Sequence, residues 1–341
     1  MATRIPFVDQ LKAISIILIV YIHNDFVTIL SSFFNTFNLH LFFILSGFVR
    51  KDPVSVTFWD FVRRNGRRLL LPYFSIAFVL FFLWIFVGRH YGNSVSYDPW
   101  KNFIGIFYAQ GGASFMDWGA PLWFLPALFC LLIIDYIVCR LKPSFRWGVV
   151  VLLVLVGYLI GKFVTFRLPW SLDVAMVAYP FFVFGRLLRV NFRLDRFRIV
   201  SRWLIMIAAF GLHMLLWRFN SEVAFYYAEY GNLLLLYVNG LLGFIWVFLF
   251  FGFLPVLPPL LWLGRNTLPI LAFHLSALAL IKAVALLGFD SSLPSGISYY
   301  WLYTTLQIII LIPLVLFLNR FAPWMVGLSG YGLENKSKSA S

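Results

Sequence analysis

The chain has 341 residues, 62% of them hydrophobic and only 12% charged, with a mean hydropathy of +0.89. A soluble domain carries about 25% charged residues, and one soluble core of this size does not hide 40 Phe, 16 Tyr and 13 Trp. The formal charge of +14 invites a nucleic-acid partner. Such a partner needs basic residues gathered on one solvent-facing surface, whereas here they sit in short loops between apolar stretches, where topology and anionic lipid account for them.

The apolar stretches approach the roughly 20 residues that cross a bilayer core. In chain order they predict spans at 10–30, 36–49, 69–88, 121–139, 148–162, 171–187, 203–219, 231–252, 267–288 and 298–319. The fold class expected is all-α, a polytopic integral membrane protein of about ten transmembrane helices. The first run follows Arg4 and Lys12 as a signal peptide would, but no small-x-small cleavage pattern comes after it. His23-Asn24-Asp25 interrupts it, so it reads as a retained helix. The second and fifth spans are short for full crossings. The connection 89–120 is the longest, with Gly, Asn, Asp and Trp scattered through it. Residues 1–324 form one membrane domain in this reading, and 325–341 a cytoplasmic, disordered tail.

With the N-terminus inside, 21 of the 27 Lys and Arg fall in the cytoplasm, from Arg4 and Lys12 to Lys336 and Lys338. Five fall outside, namely Arg89, Lys101, Lys162, Arg167 and Arg218, and Lys282 lies within a span. That bias is a positive-inside signal for cytoplasmic termini. A short echo joins Phe42-Phe43-Ile44-Leu45-Ser46-Gly47 and Phe181-Phe182-Val183-Phe184-Gly185-Arg186. In a chain so rich in Phe it reads as coincidence.

Ionisable residues inside spans mark function by default. Lys12 and His23 are eleven apart, close to three helical turns, so they share a face about 16 Å apart along the axis. For His23 the competing reading is a packing hydrogen bond, and for Lys12 snorkelling to the headgroups. Asp9 and Asp25 flank them, and Asp173 in the sixth span is costly unless paired. His213, Asn239, His274 and Lys282 are further polar residues within spans. Before the third span, Arg63, Arg64, Arg67 and Arg68 cluster at helical spacing. With Arg50 and Lys51 they exceed what topology needs; guanidinium forks match phosphate, and generic attraction to anionic lipid competes with that reading. Small residues such as Ser46 and Gly47 let backbone approach a ligand. No His/Cys/Asp/Glu set has metal-ligand spacing, and Cys130 and Cys139 suggest neither a metal site nor a disulfide.

These residues fall in an ordered series: Asp9-Gln10-Leu11-Lys12 to His23, Leu41 to Phe48, Arg64-Asn65-Gly66-Arg67-Arg68, Leu122-Trp123-Phe124, Pro180 to Gly185, and Gly264-Arg265-Asn266-Thr267 through His274. The series resembles the membrane-bound acyltransferase 3 family, in particular its fucose 4-O-acetylase-like sugar O-acetyltransferases. The resemblance implies that His23 is the essential catalytic residue. Its upstream basic partner, commonly Arg, is here Lys12. Acyl-CoA use falls on Phe42, Phe43, Ser46 and Gly47, and on Arg64 and Arg67 with Arg68 beside them. Relatives often carry His-Met-Pro before Leu-Phe-Phe; here Asn38-Leu39-His40 stands there, so His40 inherits no role.

The function expected on that resemblance is acyl transfer, acetyl above all, from acyl-CoA to a hydroxyl of a cell-envelope or extracellular polysaccharide or its lipid-linked precursor. His23 would act as general base with Asp173 or Asp25 orienting it, or would carry the acyl group transiently. The location expected is the cell inner (plasma) membrane. The partners expected are the glycan acceptor and membrane lipid, with polysaccharide-assembly proteins or a second copy of the chain beside them, and no nucleic acid. A glycan or small-molecule transporter or flippase is the rival, using the same polar residues as a pathway.

Overall fold

The computed structural model describes residues 5–24, 28–50, 55–191, 198–220 and 223–328. These residues are all-α apart from a single isolated bridge between Ala224 and Glu229. The helices are α1 (Pro6–Ile22), α2 (Ile29–Asn35), α3 (Asn38–Phe48), α4 (Phe58–Phe86), α5 (Pro99–Tyr108), α6 (Ala113–Met116) and α7 (Phe124–Val138). They continue as α8 (Pro143–Phe163), α9 (Leu172–Asn191), α10 (Ile199–Leu216), α11 (Leu233–Phe253), α12 (Pro258–Arg265), α13 (Thr267–Phe289) and α14 (Ile297–Phe321). Local chemistry sets their starts. Pro opens α1, α5, α8 and α12, where its missing N–H costs nothing. Thr28, Thr57, Asp98 and Asn232 cap α2, α4, α5 and α11 through side-chain oxygens.

Among the described residues, nine helical stretches are long and apolar enough to cross a membrane, with α2 and α3 counted as one, Ile29–Phe48. Helix α1, at 17 residues, is not among them. The expected first span of 10–30 is therefore corrected: the helix runs Pro6–Ile22 and stops at His23. The expected fifth span, 148–162, is corrected too, because α8 has 21 residues and is not short. Arg146 had marked a loop, yet it sits in the first turns of α8. Its guanidinium turns back to the carbonyls of Leu141 at 3.0 Å and Cys139 at 2.8 Å. Helix α12 was read as loop, its eight residues being too few for a hydrophobic pattern to register. Residues 329–341 of the expected tail lie outside the described residues.

The chain divides into two compact units. The first is Met1–Lys51, Ala178–Phe225 and Glu229–Leu311; the second is Asp52–Val177, Tyr226–Ala228 and Ile312–Ser341. Helices α8 and α10 turn Val151, Leu152, Leu155 and Leu159, and Leu204, Ile207, Leu212 and Leu215, outward. That is how a helix facing lipid is arranged, since lipid accepts apolar side chains and nothing else. Helix α1 is the opposite. Eleven of its residues are buried, including Asp9, Gln10 and Ser15, and α3, α11, α12 and α13 of the first unit pack around it.

Close backbone approach builds that unit. A Cβ on Gly47 of α3 would stand 1.9 Å from the Phe182 carbonyl oxygen of α9, and one on Gly185 of α9 would stand 1.9 Å from the Ile44 oxygen of α3. The two glycines thus face each other's helices across one crossing, each presenting a Cα hydrogen to a carbonyl. The Phe-rich echo read as coincidence is this reciprocal contact. Gly264 of α12 meets the Asp9 carbonyl of α1 in the same way, with a Cβ site 1.8 Å from it. Backbone cannot yield as a side chain can, so Gly47→Val and Gly185→Val are expected to destabilise by at least about 1–3 kcal/mol. Monodisperse yield in detergent should collapse for both, while Gly66→Ala, which meets nothing within 4 Å, should match the parent.

Candidate active site around His23

His23 stands where α1 ends and is half-buried. Its backbone N–H and its ring Nδ1 both approach the Ile19 carbonyl, Nδ1 at 2.7 Å. A carbonyl only accepts, so Nδ1 carries the proton and, in the neutral ring, Nε2 keeps its lone pair. One carbonyl therefore closes the helix end and sets the tautomer. The ring meets that of His274 from α13 edge to face, centroids 4.9 Å apart. His274 is fully buried, and its Nδ1 lies 2.9 Å from the Leu271 carbonyl and 3.2 Å from that of Ile270. It has the same tautomer, and its Nε2 has no hydrogen-bond partner.

Beside His23, Asn24 is buried against α14. Its Nδ2 donates to the Tyr300 carbonyl at 3.1 Å and to Thr304 Oγ1 at 2.9 Å, and its Oδ1 receives Gln307 Nε2 at 2.6 Å. Tyr21, Tyr300 and Tyr303 form an aromatic cluster there. At the other end of α1, Asp9 gathers two cations: Lys12 Nζ at 3.9 Å and Arg265 Nε at 3.4 Å. Gln10 Oε1 receives the Leu257 N–H at 2.6 Å. Lys12 thus lies in the N-terminal half of α1 and His23 at its C-terminal end, and the Gly264–Asp9 contact brings Arg265 to the same carboxylate as Lys12.

The family model described as an acyltransferase domain matches residues 5–320. The chain belongs to the acyltransferase 3 family. No curated protein and no solved structure matches it.

The other motif residues of this acyltransferase-family membrane protein fall as follows. In α3, Phe43 is fully buried and packs near Phe225, Phe42 and Ser46 are partly exposed, and the space above Gly47 is filled by α9 backbone. His40 is enclosed by the rings of Phe181 and Phe225 and wedged over Gly240. In the second unit, Arg63, Arg64, Arg67 and Arg68 lie exposed along the start of α4, while Asn65 between them is buried and bonded to the Phe61 carbonyl at 2.8 Å. Asp25 lies outside the described residues. No group of three or more His, Cys, Asp or Glu that could hold a metal ion occurs among the described residues.

Asp173 is fully buried in the first turn of α9, and its Oδ2 is 2.5 Å from Arg167 Nε. Arg167 also donates to the Tyr226 carbonyl at 3.2 Å. Within its own unit, Asp173 is therefore the partner of Arg167, and the group that orients the His23 ring is the Ile19 carbonyl. Asn24, Thr304, Gln307 and Arg265 had not been singled out as site residues. Gln307 carried the clearest signal, since an amide inside an apolar span calls for a partner; its partner is remote in sequence. Asp173→Ala leaves a guanidinium without its buried carboxylate, which should cost about 3–5 kcal/mol. The double change Arg167→Met with Asp173→Leu should recover most of the loss. Thermal unfolding in detergent checks both, and a single variant as stable as the parent contradicts the assignment.

Proposed function

We propose that this protein transfers an acyl group, acetyl in the simplest case, from acyl-CoA to a hydroxyl of a cell-envelope or extracellular polysaccharide or of its lipid-linked precursor. The observation that carries the reading is the His23 ring, tautomer-locked by Ile19 so that Nε2 is a base. Family membership supports the reaction class. In the reaction, Nε2 takes the proton of the acceptor hydroxyl as its oxygen attacks the thioester carbon. The tetrahedral oxyanion collapses, the carbon–sulfur bond breaks, and the leaving thiolate takes the proton back from Nε2. The Nδ1 bond to Ile19 holds the ring through both transfers.

Donor binding is assigned residue by residue, on the family resemblance alone, to Lys12, Phe42, Phe43, Ser46 and Gly47, and to Arg64, Arg67 and Arg68. The exposed forks of α4 suit phosphate. We further propose ten crossings, α1 being the tenth, with both termini cytoplasmic in a cell inner (plasma) membrane. Helix α1, at 17 residues, is shorter than α11 and α13 and buries Asp9, Gln10 and Ser15, but the helices packed round it supply what lipid does not.

In cells expressing His23→Ala at parental membrane levels, ester-linked acyl groups on glycans should fall at least about a hundredfold, the usual scale of a lost general base. Mass spectrometry of glycans reads this, and ester content near the parent's removes His23 from the chemistry. In the same experiment, Arg64→Ala with Arg67→Ala should weaken labelled acetyl-CoA binding about tenfold or more; unchanged affinity would assign those arginines to lipid instead. Glycan movement without any acyl turnover would favour a transporter. For the orientation, a reporter enzyme active only outside the cytoplasm should work when fused after Tyr97 and fail when fused after Lys142. The reverse pattern inverts the topology.

A further inference from the structure

The polar network beside His23 has an unusual balance, in that its hydrogens are all engaged. The Tyr300 and Tyr303 carbonyls, which can only accept, fix the direction of every bond. Asn24 Nδ2 gives its hydrogens to the Tyr300 carbonyl and Thr304 Oγ1. The Asn24 amide is thereby oriented, and its Oδ1 faces Gln307 Nε2. Gln307 Nε2 gives its second hydrogen to the Tyr303 carbonyl at 3.1 Å, and Thr304 gives its own to the Tyr300 carbonyl at 2.7 Å. What remains is Gln307 Oε1, fully buried, with no partner. A buried acceptor left without a donor costs free energy that a correctly placed ligand recovers.

The same polarity recurs at both histidines. His274 Nε2 is a buried lone pair without a partner, and His23 Nε2 is a lone pair at a half-buried position. Around the end of α1, then, Gln307 Oε1 and the two Nε2 atoms are unused acceptors, and the Tyr21 hydroxyl, also buried and unpartnered, can accept as well as donate. A carboxylate or phosphate brings only further lone pairs to such a place, whereas a neutral group with several hydroxyls brings the missing hydrogens.

Resting on the acyl-transfer reading above, we propose that Gln307 is an acceptor-binding residue. Its Oε1 receives a hydroxyl of the incoming neutral polyol while a second hydroxyl of that molecule faces His23 Nε2. Asn24 and Thr304 hold the Gln307 amide in the orientation that leaves Oε1 unoccupied. The residue thereby selects a hydroxylated, uncharged edge of the acceptor and contributes nothing to the donor.

The test uses full-length protein, measuring ester content of glycans by mass spectrometry at matched membrane levels, and binding of labelled acetyl-CoA to purified protein. Gln307→Met keeps the volume and removes the amide. Its glycan ester content should fall about tenfold or more, with acetyl-CoA affinity within about twofold of the parent's. Gln307→Glu, protonated in this enclosed place, keeps a donor toward Asn24 and a carbonyl where Oε1 stood, so its esters should stay within about threefold of the parent's. Ester content unchanged in Gln307→Met overturns the proposal, as does a matching loss of acetyl-CoA affinity. If Gln307→Met does not give a monodisperse protein, Gln307→Glu decides alone: retained esters support the assignment, and their loss at parental donor affinity overturns it. Parental protein that does not bind acetyl-CoA, or esters that persist in His23→Ala, would instead remove the acyl-transfer reading itself.

Discussion

Helix α1 carries Asp9, Gln10, Lys12, Ser15 and His23 through the middle of the first unit, and every polar group on it has to be satisfied by protein. Each unsatisfied group within a bilayer costs several kcal/mol, so a helix of this composition is stable only when other helices enclose it. The remaining architecture of the unit answers most of that requirement, leaving only Gln10 Nε2 and the Tyr21 hydroxyl among the described α1 side chains without a partner. Ser15 bonds back to the Leu11 carbonyl, Gln10 takes the Leu257 N–H, Asp9 takes Arg265, and His23 closes the last turn on Ile19. The same requirement explains why α12 is short and pressed so closely on α1. Only a glycine at 264 lets the two backbones meet near Asp9.

Stability and chemistry are joined at the end of α1. The Ile19 carbonyl accepts both the backbone N–H of His23, which closes the last turn, and the ring Nδ1–H. The carbonyl that finishes the helix is therefore also the one that decides which imidazole nitrogen keeps its lone pair. An imidazole fixed by backbone stays fixed whatever approaches it, which is the preorganisation that the proposed acyl transfer calls for. The neighbouring Asn24 ties the end of α1 to α14, bonding both Thr304 and Gln307. Two adjacent residues thus link the end of one helix to a histidine of α13 and an amide of α14.

Glycine crossings set how near these helices come. At the α3–α9 crossing each glycine presents hydrogen where any other residue would present carbon. Membrane helices gain nothing from hiding apolar surface from lipid, so close packing and such short contacts carry the association. The buried Arg167–Asp173 pair plays a comparable part in the second unit, where a charge at the start of α9 is compensated by a guanidinium rather than by solvent. A carboxylate within a span had suggested chemistry, and within its own unit the contact it makes is this ion pair.

The sequence by itself determined the class of molecule, because apolar length and charge are properties that survive without coordinates. Helices occur at all ten positions where apolar runs had been read, and nine of the stretches meet the length and apolarity needed to cross. His23 was legible as a candidate because an imidazole in an apolar run stands out. What only the tertiary structure decided were pairings between residues far apart in the chain: His23 with His274, Asn24 with Gln307, Asp9 with Arg265, Gly47 with the backbone at Phe182. The reason is physical. Periodicity reports which face of a helix is buried, but the partner across that face lies on another segment, and a lone glycine or glutamine in a span does not say whose backbone or amide it will meet. The Phe-rich echo looked accidental for the same reason. Its meaning lies in the crossing of two helices, and a crossing exists only in three dimensions.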